Sequence, residues 1–148
     1  MKAKMNTGKL LILGLILVLT AAACTPAAKT ITVTIEDGKC ALDGGNRIKS
    51  GNVTVKLIIN DHEHQYYGIS LLALPQGKGY QDLADAAANL KVDFPPAWSK
   101  WQGDIIGVLP GSQTEKTMDI WAGPLYVVCV SGPPLAANGV LGPVKVVK

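Results

Sequence analysis

The sequence predicts an all-β sandwich or barrel that carries one short helix. Two observations carry this prediction: short segments in which β-branched residues alternate with polar ones, and Gly or Pro clusters between them. The 148 residues include 16 Gly and 9 Pro, and such punctuation is typical of tight turns between short strands. A chain of this length is about one ordinary domain.

Seven or eight strands are expected. Residues 30–36 (TITVTIE) alternate regularly, and residues 52–60 (NVTVKLIIN) follow a Ser-Gly turn and alternate in the same way. The cluster DGGN at 43–46 indicates a turn between them. Further strands are expected at 66–74, 104–109, 114–121, 125–130 and 141–147.

One segment interrupts this pattern with helical spacing. Leu83, Ala86, Ala87 and Leu90 stand at positions i, i+3, i+4 and i+7, which places them on one face of a helix. Alanine also favours the helical backbone. The spacing predicts a helix over 80–91, which the Pro pair that follows would end.

The N-terminus has the layout of an export signal. Three lysines precede residue 10, residues 10–19 (LLILGLILVL) are apolar, and small residues follow. The apolar stretch 10–23 has 14 residues, whereas a membrane-spanning helix needs about 20. We therefore predict that residues 1–23 are a signal peptide, whose helix precedes the domain. The alternative is a permanent membrane helix.

Cys24 follows the small residues directly. The segment Leu-Thr-Ala-Ala-Ala-Cys resembles a bacterial lipobox, in which the Cys becomes the first residue of the mature protein and is lipidated. The resemblance implies that residues 24–29 are a lipidated Cys and tether, and that residues 30–148 form the domain. It also implies an extracytoplasmic protein that is attached to a bacterial membrane through its lipid anchor. The alternative is ordinary cleavage that leaves Cys24 free.

The distribution of charge argues against nucleic acid as a partner. The net charge is +3, with 14 basic and 11 acidic residues. Three of the basic residues lie within 1–23, so 11 basic residues face 11 acidic ones in the rest of the chain. A nucleic-acid binder needs clustered Lys and Arg to displace counterions, and this chain has a single Arg, Arg47.

Three segments together resemble the cupredoxin domain, the Greek-key sandwich of plastocyanin and azurin. Residues 37–55 contain a Gly turn before the strand Val-Thr-Val, and residues 60–69 place an Asn shortly before a His. Residues 110–146 resemble the family's ending, Pro-Gly followed by Gly-x-Tyr-x-x-Cys and a late Gly-x-x-x-Val. The resemblance covers about 30–148 and implies a Greek-key sandwich with a mid-chain helical insertion.

The copper ligands of that family are incomplete in this chain. A blue-copper site needs two imidazoles, a thiolate and a weak axial ligand, often Met. The resemblance places His62 or His64 at the first His position and Cys129 at the Cys position, but no His or Met follows Cys129. If residues 62–64 are extended, both His side chains project to one face and form an atypical metal site with Cys129. The alternatives are polar hairpin residues, another ligand role or a pH-dependent contact.

The number of cysteines indicates a second role for Cys129, as one half of a disulfide and not as a copper ligand. With Cys24 lipidated, Cys40 and Cys129 remain as an even pair in a compartment that permits disulfides. In cupredoxins the loop before the Val-Thr-Val strand lies close to the ligand loops. The resemblance therefore implies that Cys40 and Cys129 are neighbours and form a disulfide. The alternative is two buried free thiols.

The chain has three tryptophans, and their positions predict different degrees of burial. Trp121 stands at a strand end and is expected in the core. Trp98 and Trp101 lie in or beside a Pro-rich loop. They either pack with that loop onto the sandwich or form a contact patch.

No catalytic constellation is evident. The chain has no nucleophile elbow, no phosphate loop and no Cys-x-x-Cys motif for a thiol–disulfide enzyme. We therefore expect a non-enzymatic, cupredoxin-like lipoprotein without a type 1 copper site or other cofactor. It would act as a binding or structural module for an unknown protein or small molecule. The alternative is a copper-binding or electron-transfer protein that uses His62, His64 and Cys129.

Overall fold

The computed structural model describes residues 30–90 and 94–148. The predicted signal peptide, Cys24 and the tether lie outside the described residues. Within the described ranges, no helix is long and apolar enough to cross a membrane.

The described residues contain nine strands and one helix, where the sequence predicts seven or eight strands and one helix. The elements are β1 (Thr30–Glu36), β2 (Lys39–Asp43), β3 (Arg47–Lys49), β4 (Gly51–Ile59), β5 (Tyr66–Ala73), α1 (Tyr80–Ala88), β6 (Lys100–Val108), β7 (Gln113–Ile120), β8 (Gly123–Gly132) and β9 (Ala136–Val147). The additional strands are the short β2 and β3, on either side of the expected turn at 43–46.

The strands form two sheets. One has the order β2-β1-β4-β7, and the other has the order β3-β9-β8-β5-β6. Two pairs, β1 with β4 and β3 with β9, are parallel, and the other pairs are antiparallel. The chain passes from one sheet to the other five times, after β2, β3, β4, β6 and β7. The expected Greek-key sandwich with one helical insertion is confirmed.

The core lies between the two sheets and follows from the alternation in the strands. Residues that point inward from β1 and β4 are buried, whereas their neighbours are half-buried or exposed. They meet the inward residues of β5 and β8. The largest fully buried side chains of this core include Ile31, Ile35, Leu57, Ile59, Tyr67, Ile69, Leu71 and Leu125.

The helix covers the outer face of the five-stranded sheet. Leu83 and Ala87 are its buried residues, and they belong to one apolar cluster with Leu72 and Val128 of the sheet. The Asp82 carboxylate accepts a hydrogen bond of 3.0 Å from the backbone N–H of Gly79, which caps the first turn. The helix ends at Ala88, three residues before the predicted end.

The two ends of the sandwich differ in the connections between strands that lie there. We call the end where β1, β4 and β8 begin and where β7 and β9 finish the basal end. A hydrogen bond of 2.7 Å from the Ser50 N–H to the Val147 carbonyl joins the two sheets there. The opposite end, the loop end, carries the connections 37–38, 60–65, 109–112 and 133–135.

Candidate functional site

The candidate site lies at the loop end, where the segment 60–65 joins the two sheets. This segment carries His62 and His64 and has no strand structure. Residues 63–65 form a bend, so the regular alternation of a strand, which would project both imidazoles to one face, is absent from this segment.

His62 is exposed and lies against the neighbouring connection between β6 and β7. A Cβ atom at Gly111 would lie only 2.8 Å from Cε1 of the His62 ring. Gly111 also has a φ of +67°, which glycine adopts without strain. The absence of a side chain at Gly111 thus makes room for the imidazole of His62.

Asp61 is the buried polar centre of the loop end, with 3% of its surface exposed. Its Oδ2 accepts a hydrogen bond of 2.7 Å from the Gly38 N–H. Its Oδ1 accepts one of 2.9 Å from the Glu63 N–H and one of 2.8 Å from the Tyr67 hydroxyl. The Glu63 N–H and then the Tyr67 hydroxyl are the main causes that lower the pKa of Asp61 from 3.8 to about 2, although burial opposes them.

Tyr67 links Asp61 to His64. Its hydroxyl oxygen accepts a hydrogen bond of 3.0 Å from the His64 N–H. The two rings meet edge to face, with 5.9 Å between their centroids and an interplanar angle of 74°. Burial of the phenol, and then its bond to the Asp61 carboxylate, raise the pKa of Tyr67 above its usual value. His64 is therefore held as a packing partner of a buried phenol.

Cys40 and Cys129 form a disulfide, as the resemblance implies. Their Cα atoms are 6.4 Å apart, and the bond joins β2 of one sheet to β8 of the other. Cys129 is fully buried in the core, and Cys40 packs against the same cluster. Both sulfur atoms are thus engaged in a covalent bond, and neither is a thiolate.

The residues that the sequence proposes for copper have separate partners in the structure. His62 lies on Gly111, His64 lies on Tyr67, and the sulfur of Cys129 is bonded to Cys40. Among residues 30–90 and 94–148, no group of three or more His, Cys, Asp or Glu side chains is arranged to hold a metal ion. Met118 is buried in the core against Gly103 and is not at the loop end.

Ser131 is a second polar group in the interior. It is fully buried on β8 and pairs in register with Tyr67 on β5. Its Oγ has no hydrogen-bond partner among the described residues. A hydroxyl in this state is costly, because burial removes it from water without replacing the hydrogen bonds that it had there.

Asp61, Tyr67 and Ser131 are functional candidates that no motif in the sequence indicates. For Asp61 a signal was present, since an Asp that follows an apolar strand often accepts a bond from the N–H two residues later, as it does from Glu63. Tyr67 reads only as a strand residue, and nothing in the local sequence distinguishes Ser131 from a surface serine.

The burial of the tryptophans differs from the prediction at Trp121. Trp121 is 54% exposed, so the prediction that it belongs to the core is wrong. Met118 and Ile120 take the inward positions at the end of β7, and the next residue lies outside. Trp98 is half-buried against the helix cluster, with Lys78 Nζ 5.3 Å from its ring, whereas Trp101 is 52% exposed.

Three cavities open on the surface of the described residues, and the one between β8 and β9 has a mostly apolar lining. One lies between the C-terminal part of α1 and the start of β9, and the other two lie near the basal end. Of these two, one is between β9 and the turn that joins β2 to β3, and the other is between β8 and β9. None of the three has a His, Cys, Asp or Glu among its lining residues in the described ranges. They therefore offer no carboxylate, imidazole or thiol.

Comparison with known proteins gives two similar structures. No protein-family model and no curated protein matches the chain. The chain is similar to a dithionite-reduced auracyanin from the photosynthetic bacterium Roseiflexus castenholzii, with 18% identity, 82% of this chain and 99% of that chain covered, and a TM-score of 0.47. It is also similar to auracyanin B, with 17% identity, coverage of 71% and 78% respectively, and a TM-score of 0.41.

The fold assignment rests on the strand order and on the place of the helix. The two sheets and a single helix between β5 and β6 agree with the Greek-key sandwich and the mid-chain helical insertion that the sequence resemblance implies. The domain is cupredoxin-like in fold. Its loop end carries a disulfide and a carboxylate–phenol network at the place where the resemblance locates copper ligands.

Proposed function

We propose that this chain is an exported, lipid-anchored, cupredoxin-like protein that acts without type 1 copper, as a non-catalytic binding or structural module. The observation that carries the proposal is the bond between Cys40 and Cys129. Blue copper requires a thiolate at the Cys position, and this sulfur is already bonded.

The sequence around Cys129 supports the same proposal. After Cys129 the chain has neither His nor Met, so the segment that normally supplies the second imidazole and the axial ligand has no substitute for them. Reduction of the disulfide would release a thiolate, but two ligands would still be missing from that segment.

The remaining polar groups of the loop end also favour a structural role. The Asp61 carboxylate accepts three hydrogen bonds from its own domain, and Tyr67 both donates and accepts one. Groups that are satisfied internally have little capacity left for a metal or a substrate. The network fixes the connection 60–65 against the β1–β2 turn instead.

The disulfide is consistent with export. Disulfides persist in oxidising compartments outside the cytoplasm and are rare inside it. Together with the signal-like residues 1–23 and the lipobox-like segment at Cys24, it supports a mature domain outside the cytoplasmic membrane. Lipidation of Cys24 would then attach that domain to the membrane.

Copper loading tests the central part of the proposal. The exported chain, isolated from its host with the disulfide intact, is mixed with cupric ion and separately with cuprous ion. We expect no intense thiolate-to-copper absorption band and no retained copper after gel filtration. A strong visible band, or one retained copper per chain that is lost in His64→Ala, would instead support the copper-binding or electron-transfer alternative.

A matched experiment tests the anchor. The native chain and a Cys24→Ser variant are expressed in a bacterial host and partitioned between detergent and water. We expect the native chain in the detergent phase with a mass that includes acyl groups, and no acyl mass in the variant. A native chain that starts at or after residue 24 without added mass would refute the anchor.

A further inference from the structure

The two ends of the sandwich carry opposite charge. At the basal end, apart from the Lys78–Asp82 ion pair, five basic residues stand against two acidic ones: Arg47, Lys49, Lys100, Lys145 and Lys148 against Asp43 and Asp119. At the loop end, one basic residue stands against four acidic ones: Lys39 against Glu36, Asp37, Asp61 and Glu63. These seven charged residues of the basal end are all exposed.

Two exposed tryptophans lie on the basic end. Trp101 is the second residue of β6, and Trp121 directly follows β7. The buried side chain of Gln102, the residue after Trp101, links β6 to Trp121, since its Oε1 accepts a hydrogen bond of 2.8 Å from the Trp121 N–H. Indole rings have an apolar body and one polar N–H, and they favour the boundary between water and lipid.

The chain reaches the domain at this same end. β1 begins at Thr30. The turn between β2 and β3 lies beside it, since a Cβ atom placed on Gly44 would be 3.0 Å from the carbonyl oxygen of Thr30. The five residues between Cys24 and Thr30 span at most about 18 Å when fully extended. A lipidated Cys24 would therefore hold the basal end within that distance of the bilayer surface and keep the loop end away from it.

From these observations we infer that the basal end is a membrane-docking face for anionic phospholipid. The exposed lysines and Arg47 lie against the lipid phosphates, and the rings of Trp101 and Trp121 lie among the headgroups. An apolar cavity of about 380 Å³ between Pro124 and Pro143 is at the same end. The inference rests on the proposed lipid anchor, and it assigns the acidic loop end to the side that faces away from the membrane.

Fluorescence quenching tests the docking face. The acylated chain is reconstituted into vesicles of phosphatidylcholine alone or mixed with phosphatidylglycerol, both with brominated acyl chains. We expect tryptophan quenching that is stronger in the anionic vesicles and weaker at high salt, because the attraction is screened. Trp121→Phe should remove much of the quenching, whereas Trp98→Phe, at the half-buried position, should leave it. Equal quenching in both vesicle types, or in both variants, would refute the inference.

A pair of charge reversals provides the matched control. Lys145→Glu lies at the basal end and Lys39→Glu at the loop end, and both residues are exposed. We expect Lys145→Glu to reduce the ratio of docked to undocked molecules by about fivefold or more, and Lys39→Glu to leave it unchanged. Equal effects of the two reversals would show that net charge alone attracts the protein, which would overturn a specific docking face.

Failure of the anchor is a separate outcome. A chain without acyl groups would not float with vesicles in high salt, and that result would refute the anchor. The same chain, added to brominated anionic vesicles at low salt, would still report on the face through quenching of Trp121. Quenching in that experiment would support the face, and its absence would refute it.

Discussion

The hydroxyl of Tyr67 donates a hydrogen bond of 2.8 Å to Oδ1 of Asp61, and both groups are buried. Through Asp61 this bond joins β5 to the turn between β1 and β2, since Oδ2 of the same carboxylate accepts from the Gly38 N–H. One carboxylate thereby holds two connections of the loop end in place. The charge on Asp61 is stabilised where it stands, because its hydrogen bonds outweigh the cost of burying it.

Tyr67→Phe should destabilise the domain by about 2 kcal/mol. The substitution removes the bond to a charged acceptor and leaves the His64 N–H without its acceptor. Urea unfolding monitored by tryptophan fluorescence measures the change. Tyr66→Phe is the control, because this neighbouring phenol is partly exposed and its loss should change the free energy of unfolding by less than about 0.5 kcal/mol. Equal losses in the two variants would contradict the role of the bond.

Stability should fall in acid as Asp61 is protonated. Its folded pKa of about 2 lies below the ordinary 3.8, so the carboxylate stabilises the fold above pH 3.8 and loses this contribution as the pH falls toward 2. We expect a contribution of about 1–2 kcal/mol, because water near the end of a small sandwich screens the charge. Asp61→Asn, which does not titrate, should show a flatter decline in unfolding free energy between pH 5 and 2. Parallel pH profiles for the two proteins would count against this cause.

Loss of the disulfide should be the most costly single change. The bond closes a loop between residues 89 positions apart, and the chain-entropy model assigns about 4–5 kcal/mol to such a closure. Cys40→Ala removes the bond and leaves Cys129 in the core. The variant and the reduced native protein should lose similar unfolding free energy, and dithiothreitol should have no further effect on the variant. A native chain whose mass does not increase by two on reduction would show that the bond is absent.

The sequence predicts most of the architecture, because a strand with one buried face has apolar and polar residues in alternation. β1, β4 and β5 begin and end within one residue of their predicted limits. β2 and β3 were not predicted, since the short segments KCALD and RIK lack a clear pattern of their own. They are strands because β2 pairs with the edge of β1 and β3 pairs with the edge of β9. Such pairing depends on the tertiary structure and leaves no pattern in the local sequence.

The candidate site was predictable only in part. The pairing of Cys40 with Cys129 follows from a count of cysteines together with the family resemblance. The partners of His62 and His64 do not, because Gly111 and Tyr67 reach them through the packing of separate loops and strands. Trp121 shows the same limit, since inward positions at the end of β7 are already filled by Met118 and Ile120.

Ser131→Ala should stabilise the domain, by up to about 1 kcal/mol. The Ser131 hydroxyl is buried beside Tyr67 and has no partner among the described residues, so the folded state loses the hydration that the unfolded chain retains. Replacement by Ala removes the cost of burial, and the small void left by one oxygen atom offsets part of the gain. Urea unfolding of the variant beside the native chain measures the difference. The Thr34→Ala substitution, at a half-buried residue on the sheet that lacks Ser131, controls for the general effect of losing a hydroxyl. If Ser131→Ala were less stable than the native chain by 1 kcal/mol or more, the hydroxyl would have a hydrogen-bond partner in solution, and the interior at this point would be polar.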